Sequence, residues 1–257
     1  MSDLLVLCYH AVSETWPAAL SVTPQALEEQ LDALTRRGYR GACMTEAVCA
    51  PSKGRTVVVS FDDNYRSVLE RAKPILDRYE IPGTLYVPTD WPGDDRPMRW
   101  PGIDRWLGTP HEPELDSLSW EELRDLADAG WEIGSHTCSH PRLSELDDEA
   151  LARELGVSKA KVEQELGRPC TSLAYPYGDV DARVERATGT AGYLAAGAIP
   201  RILYPPRPLC WPRAPIFHDD SIKRFAVKVS PTIRRLRSSS LFTWLDRARV
   251  SRSRPAH

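Results

Sequence analysis

Val57-Val-Val-Ser-Phe-Asp-Asp-Asn64 carries apolar residues straight into two adjacent carboxylates. A short run rich in Val and Phe reads as a fully buried strand of a parallel sheet; a buried helix gives the same local pattern, and the strand is favoured. Asp62 and Asp63 then stand where the chain leaves that strand, the end at which α/β barrels and open α/β sheets place their chemistry. One Asp in such a position is an Asx turn or a helix cap. The helix expected next, over residues 65–79, needs only one cap, so the second carboxylate calls for partners elsewhere.

Those partners lie at His136-Thr-Cys-Ser-His140, again directly after an expected strand, Trp131-Glu-Ile-Gly-Ser135. Two imidazoles four residues apart are expected to meet on one face of a helical turn, a spacing that suits one metal ion, with one of the two Asp residues as third ligand. Either His alone reads as structural. Two His and two Asp, each pair closing a strand, read as a metal site. Cys138, between the two His, is expected to be a buried thiol and not a ligand.

Farther out, Thr23 as N-cap, Pro24, the apolar Leu27, Leu31 and Leu34, and Gly38 mark an amphipathic helix. Gly83-Thr-Leu-Tyr-Val-Pro88 reads as a strand, which with the Asp-Asp strand and its helix makes a β-α-β unit and argues for parallel pairing. Residues 90–117 are expected to form a long loop over the active face, with Trp91, Trp100 and Trp106 either stacking on the rings of a ligand or pinning the loop. Ser119-Trp-Glu-Glu122 is a capping box whose helix stops at Gly130. A helix over 147–166, interrupted at Gly156, a strand at Ser172-Leu-Ala-Tyr175, a helix over 181–187 and a strand over 193–199 complete the pattern.

At 257 residues and 42% hydrophobic, the chain suits one α/β barrel better than two small domains. A net charge of -3, with Lys and Arg scattered until the C-terminus, gives no basis for a nucleic-acid partner. Met1-Ser-Asp-Leu-Leu-Val-Leu-Cys8 has neither a basic start nor a small-residue cleavage site and reads as the first strand, so a cytoplasmic protein with reduced cysteines is expected. Residues 234–257 hold seven Arg against the single Asp246 and enclose Leu241-Phe-Thr-Trp-Leu245. Such a basic tail either caps the barrel or rests on the anionic inner face of a membrane, near lipid-linked sugars. The catalytic domain is expected to span residues 1–233.

Taken in order, Ser60-Phe-Asp-Asp-Asn64, His136-x-x-x-His140 and Tyr175-Pro-Tyr-Gly178 resemble the polysaccharide deacetylase family, the NodB-homology or carbohydrate esterase family 4 domain. Cys8-Tyr-His-Ala-Val12 resembles members related to bacterial poly-N-acetylglucosamine deacetylases. The resemblance implies a single-domain, incomplete (β/α)7 barrel of the TIM type. It implies one divalent metal, Zn2+ before Co2+, Ni2+ or Mn2+, on Asp63, His136 and His140, with Asp62 as general base. Tyr177 is implied as the residue whose main-chain N–H faces the oxyanion, and Tyr175, Tyr177 and Trp91 as substrate-binding residues.

Two departures from the family pattern stand out. Asn64 replaces the usual Gly after Asp-Asp, a position where Asn also tolerates positive φ. Ala174 stands where many members carry an Arg that orients the base; Arg213, in Trp211-Pro-Arg-Ala-Pro215, is the candidate replacement. For the general acid, His10 at the end of the first strand is favoured over His218. The expected reaction removes an N-acetyl group from an amino sugar. The alternatives are an amidohydrolase of small cyclic amides and, on the ground of Ala174, a carbohydrate-binding barrel without turnover.

Overall fold

The structure, a computed structural model, describes residues 3–51, 53–199 and 206–237. Its strands in chain order are β1 (Asp3–Tyr9), β2 (Ala11–Val12), β3 (Ser21–Val22), β4 (Tyr39–Gly41), β5 (Arg55–Phe61), β6 (Gly83–Val87), β7 (Glu132–Ser135), β8 (Ser172–Ala174), β9 (Ala195–Ala198), β10 (Trp211–Pro212) and β11 (Ala214–Pro215). The Val57 stretch is therefore a strand, buried at every residue after Arg55. Burial on both faces explains why it is uniformly apolar and not alternating.

The main sheet runs β10-β9-β8-β7-β6-β5-β1-β11, and β4 pairs with β5 off this path. Every pairing is parallel. The two ends of the path are one segment of chain: β10 lies beside β9, β11 lies beside β1, and Arg213 is the single residue between them. Arg213 N donates to Ala198 O at 2.8 Å on one side, and Ile216 N donates to Cys8 O at 2.9 Å on the other. The sheet is thus a nearly closed barrel with one seam, and the chain crosses that seam at Arg213. The two-residue strands β2 and β3 form a separate pair just beyond the C-terminal end of β1.

Helices surround the sheet: α1 (Pro24–Thr35), α2 (Met44–Cys49), α3 (Lys73–Arg78), α4 (Trp120–Asp128), α5 (Asp148–Leu166), α6 (Ala182–Thr190), α7 (Ile222–Lys228) and α8 (Pro231–Arg237). α1 starts where its caps put it, with Thr23 Oγ1 accepting from Ala26 N and Leu27, Leu31 and Leu34 buried. α4 carries the full capping box between Ser119 and Glu122. α5 runs unbroken through Gly156, a correction to the expected interruption. Its packed face, through Leu151, Leu155 and Val162, outweighs the modest helix cost of one Gly.

The helix expected over 65–79 has a wider turn in the middle. Val68–Ala72 winds as a π-helix, and Lys73 N reaches back to Val68 O before α3 begins. Pro74 has no N–H to give and its ring crowds the preceding turn, which a widened turn accommodates.

The loop between β6 and α4 carries two short 3-10 turns, Asp104–Trp106 and Glu112–Leu115, and is fastened by buried Met98, Ile103 and Leu115. Trp106 meets Trp16 edge-on at 5.8 Å, so this Trp pins the loop. Among the described residues no helix is long and apolar enough to cross a membrane. Arg234, the first residue of the basic tail, donates to Leu4 O at 3.0 Å and to Asp3 Oδ1 at 2.5 Å, which ties α8 to the start of β1. Residues 238–257 of the tail, with Leu241 to Leu245 and Asp246, lie outside the described residues.

Candidate functional site

Both Asp residues leave the C-terminal end of β5 buried, at 2% and 3% exposure. Asp62 N still donates to Tyr9 O at 3.0 Å, one step beyond the β1–β5 ladder. The chain then turns through two left-handed residues, Asp63 (φ 75°) and Asn64 (φ 64°). Asn64 tolerates this better than most residues and fastens the turn by donating from Nδ2 to Leu118 O at 3.0 Å. The turn lets adjacent carboxylates face different partners.

His136 and His140 follow β7, but not on a helical turn. Thr137 (φ 71°) and His140 (φ 64°) are both left-handed, so the five residues form a coiled loop, and the expected i,i+4 helical spacing is corrected. Such backbone costs about 1–3 kcal/mol per non-Gly residue and persists where surrounding contacts over-determine it. Here the contacts come from Glu154 on α5, only 8% exposed. Its carboxylate accepts from Cys138 N at 2.7 Å, Ser139 N at 3.1 Å and Ser139 Oγ at 2.7 Å. Cys138 Sγ faces Glu154 O at 3.7 Å and takes no part in the ligand set.

His136 Nδ1 lies 2.8 Å from Ala174 O. A carbonyl can only accept, so Nδ1 holds the proton and Nε2 presents its lone pair. That Nε2 is 3.3 Å from Asp63 Oδ1, and His140 Nε2 is 3.3 Å from the same oxygen. Asp63 Oδ1 is buried and accepts no hydrogen bond. Burial pushes the Asp63 carboxyl up, and the two imidazoles outweigh it, holding the group well below the usual carboxylate range. Burial likewise holds His140 below the ordinary imidazole value. Two imidazole nitrogens and one anionic oxygen converging on one point repel each other unless a cation lies between them, so this donor set fits a metal ion.

Asp62 faces the other way. Arg213, 2% exposed, holds it with both arms: Nη1 to Oδ1 at 2.6 Å and Nη2 to Oδ2 at 2.8 Å. Cys8 Sγ donates to Oδ2 at 3.4 Å. Burial raises the Asp62 carboxyl, but Arg213 and then His136 pull it down to about 2. The guanidinium passes over the Tyr86 ring at 5.4 Å and fills space that a side chain on β9 would need. A Cβ on Gly197 would come within 2.5 Å of Arg213 Cδ. The Arg missing at 174 is therefore replaced across the seam, from the segment joining β10 to β11.

His10 is half-buried, and one of its ring nitrogens, the Cys8 thiol and an Asp62 oxygen lie within 4.8 Å of one another. His218 is a correction. Its N donates to Ala19 O at 2.8 Å, its Nδ1 faces Ser21 O at 3.1 Å, and it lines an exposed groove with Glu29 and Gln30. No contact links it to the Asp pair. Tyr175 is a second correction: it is wholly buried, with its hydroxyl given to Leu209 O at 2.6 Å, so it is a core residue. Trp91 is a third. It meets Trp100 edge-on at 5.8 Å, and Trp100 is the Trp that stacks on His140, with ring centroids 4.5 Å apart. Tyr177 stays at the mouth, 37% exposed and left-handed (φ 57°), its ring 4.6 Å from His140.

Glu154 escaped the sequence reading although a signal was there: a carboxylate on the apolar face of α5, beside Leu151 and Leu155. Trp100 had no signal that set it apart from its two neighbours in the loop.

Residues 50–196 match a model of the polysaccharide deacetylase family. Among curated proteins, the chain is 25% identical over 198 residues to the putative polysaccharide deacetylase YxkH of Bacillus subtilis, covering 75% of this chain and 63% of that one. It is also 25% identical over 171 residues to a poly-beta-1,6-N-acetyl-D-glucosamine N-deacetylase of Staphylococcus aureus, covering 62% and 54%. The chain thus spans less than two thirds of these relatives. A polysaccharide deacetylase structure from Bacillus cereus superposes with a TM-score of 0.71 at 23% identity, covering 89% of this chain and 69% of that one, which shows the shared fold.

Proposed function

The chain belongs to the polysaccharide deacetylase family, and from that membership and the geometry above we propose that it is a metal-dependent hydrolase removing N-acetyl groups from an amino-sugar glycan. The observation that carries this reading is the convergence of His136 Nε2 and His140 Nε2 on Asp63 Oδ1 beside a second carboxylate that Arg213 holds. A divalent cation bound by Asp63, His136 and His140, Zn2+ before Co2+, Ni2+ or Mn2+, supplies Lewis acidity toward the amide carbonyl and the attacking water.

Asp62 takes a proton from that water. Its pKa of about 2 keeps it charged throughout the neutral range, and the two-armed Arg213 pair fixes the direction of both its oxygens. His10 gives a proton to the amide nitrogen as the C–N bond breaks, leaving acetate and a free amine. The Tyr177 main-chain N–H is the candidate donor to the oxyanion. Trp100 and Tyr177 both pack against His140 and exclude water from that ligand, and the partly exposed Tyr177 ring is the one left to meet a sugar.

The activity of the Staphylococcus aureus relative favours N-acetylglucosamine polymers over small cyclic amides. A barrel without turnover rests on Ala174 alone, and Arg213 supplies the guanidinium from another strand. Acetate release from N-acetylglucosamine oligomers by the Zn2+-loaded protein tests the reading. Stoichiometric metal with no acetate from any N-acetylated glycan would sink it, as would full metal content in His140→Ala.

A further inference from the structure

Directly beyond the second histidine, Arg142 lays its guanidinium over the Tyr177 ring at 4.4 Å, on a ring that itself rests against His140 at 4.6 Å. Arg142 is exposed, and its guanidinium has no carboxylate or hydrogen-bond partner among the described residues. Most of the arginines around it are spent: Arg183 reaches Asp148, Arg96 reaches Asp94, and Arg213 reaches Asp62. Across Tyr177, whose hydroxyl donates to Pro101 O at 3.2 Å, Arg99 is likewise exposed and without an ion pair. Asp63 and, more weakly, Asp104 act electrostatically on Tyr177, and Asp104 Oδ1 accepts from Gly102 N at 3.3 Å.

An unpaired guanidinium beside a cation site is unfavourable in itself, since both charges have the same sign. The planar group is nevertheless held on an aromatic face, with its N–H edges free. An anion bridging outward from the site relieves the repulsion and uses those donors. Arg is also the side chain whose fork matches a carboxylate or phosphate with two parallel hydrogen bonds.

We propose that Arg142, stacked on Tyr177, forms an anion subsite of the active-site mouth, so that the preferred glycan carries a phosphate or carboxylate on a sugar next to the N-acetylated one. The proposal rests on the deacetylase reading above and adds the charge of the substrate. It makes Arg142 a specificity residue. Because the contact lies at the rim, it is sensitive to salt.

The test compares three tetramers of N-acetylglucosamine: neutral, bearing one 6-phosphate, and with one sugar replaced by glucuronate. For the Zn2+-loaded protein, kcat/KM for at least one anionic tetramer should exceed that for the neutral one by about tenfold or more at low salt, and the ratio should fall as salt rises. Arg142→Gln should bring the ratio close to one, and Arg142→Lys should keep part of it, since the charge remains and the stacked fork is lost. Gain with phosphate only or with glucuronate only identifies the source of the anion. The same preference surviving in R142Q, or no preference in the parent, overturns the proposal. Should no tetramer release acetate, the deacetylase reading has failed, and calorimetric binding of the same three tetramers to parent and R142Q still decides the subsite.

Discussion

At the scale of single residues, the chemistry divides between two neighbours. Asp63 is surrounded by imidazoles and Asp62 by a guanidinium, because two left-handed residues in succession turn the chain between them. Asp62→Asn should therefore retain metal while losing about 10²–10⁴-fold in kcat, the range for a lost general base; metal content measured beside rate would expose a hidden ligand role if both fell together. Arg213→Ala leaves the buried carboxylate without its main partner, so burial is opposed only by His136 and His10 and the Asp62 pKa rises. The acid limb of the kcat/KM profile should then move to higher pH, and stability should drop by roughly 3–5 kcal/mol. Linkage gives the sign for the parent. The folded pKa is depressed from the ordinary 3.8 to about 2, so the stabilisation is complete above about 4 and lost as pH falls through 2. Urea midpoints of the parent should fall across that window, and those of Arg213→Ala should fall less. The pair Asp62–Arg213 was legible from sequence because Ala174 left a charge to be supplied and Trp211-Pro-Arg-Ala-Pro215 offered one. Tyr175 was misread because side-chain direction just past a strand end leaves no trace in spacing.

At the scale of elements, the strands and helices were readable because burial imposes period and caps impose punctuation: Thr23 and Ser119 begin their helices as their side-chain chemistry requires. The histidine loop was not readable. Left-handed backbone at Thr137 and His140 has no Gly to announce it, and the contacts that hold it arrive from α5, many residues later. Glu154→Gln keeps the shape but replaces an anion by a neutral amide facing two N–H groups and a hydroxyl. Zn2+ affinity should fall about 10–100-fold, and the Cys138 and Ser139 amides should exchange faster in deuterium labelling; unchanged exchange would show that the loop holds itself. Gly197→Ala tests the opposite wall. Its methyl would meet Arg213 Cδ at 2.5 Å, so Arg213 must leave its track, and rate should collapse with metal content preserved. A variant as active as the parent would mean that the strand yields more readily than the close approach suggests.

At the scale of the whole molecule, the parallel barrel followed from β-α-β order, and the seam did not, since a segment of five residues serving two strands has no pattern of its own. Arg234 belongs to the body through Asp3 and Leu4, so the basic extension is best tested by a chain ending at Arg237. That chain should melt with the parent and match its rate on soluble oligomers, whereas the full chain should co-sediment with anionic vesicles at low salt and detach as salt rises; equal sedimentation of the two would remove any membrane role for the tail. The split strand has one more consequence, which concerns time. Asp62 and Arg213 stand 151 positions apart, and the segment bearing Arg213 is also the one that joins the first strand to the sixth element of the barrel wall. During synthesis the base cannot be oriented until the ribosome has passed the end of the barrel. A nascent chain, or a fragment clipped before Trp211, has both histidines and both aspartates and still lacks the guanidinium that holds Asp62, so the paired carboxylate comes into existence only in a single late event.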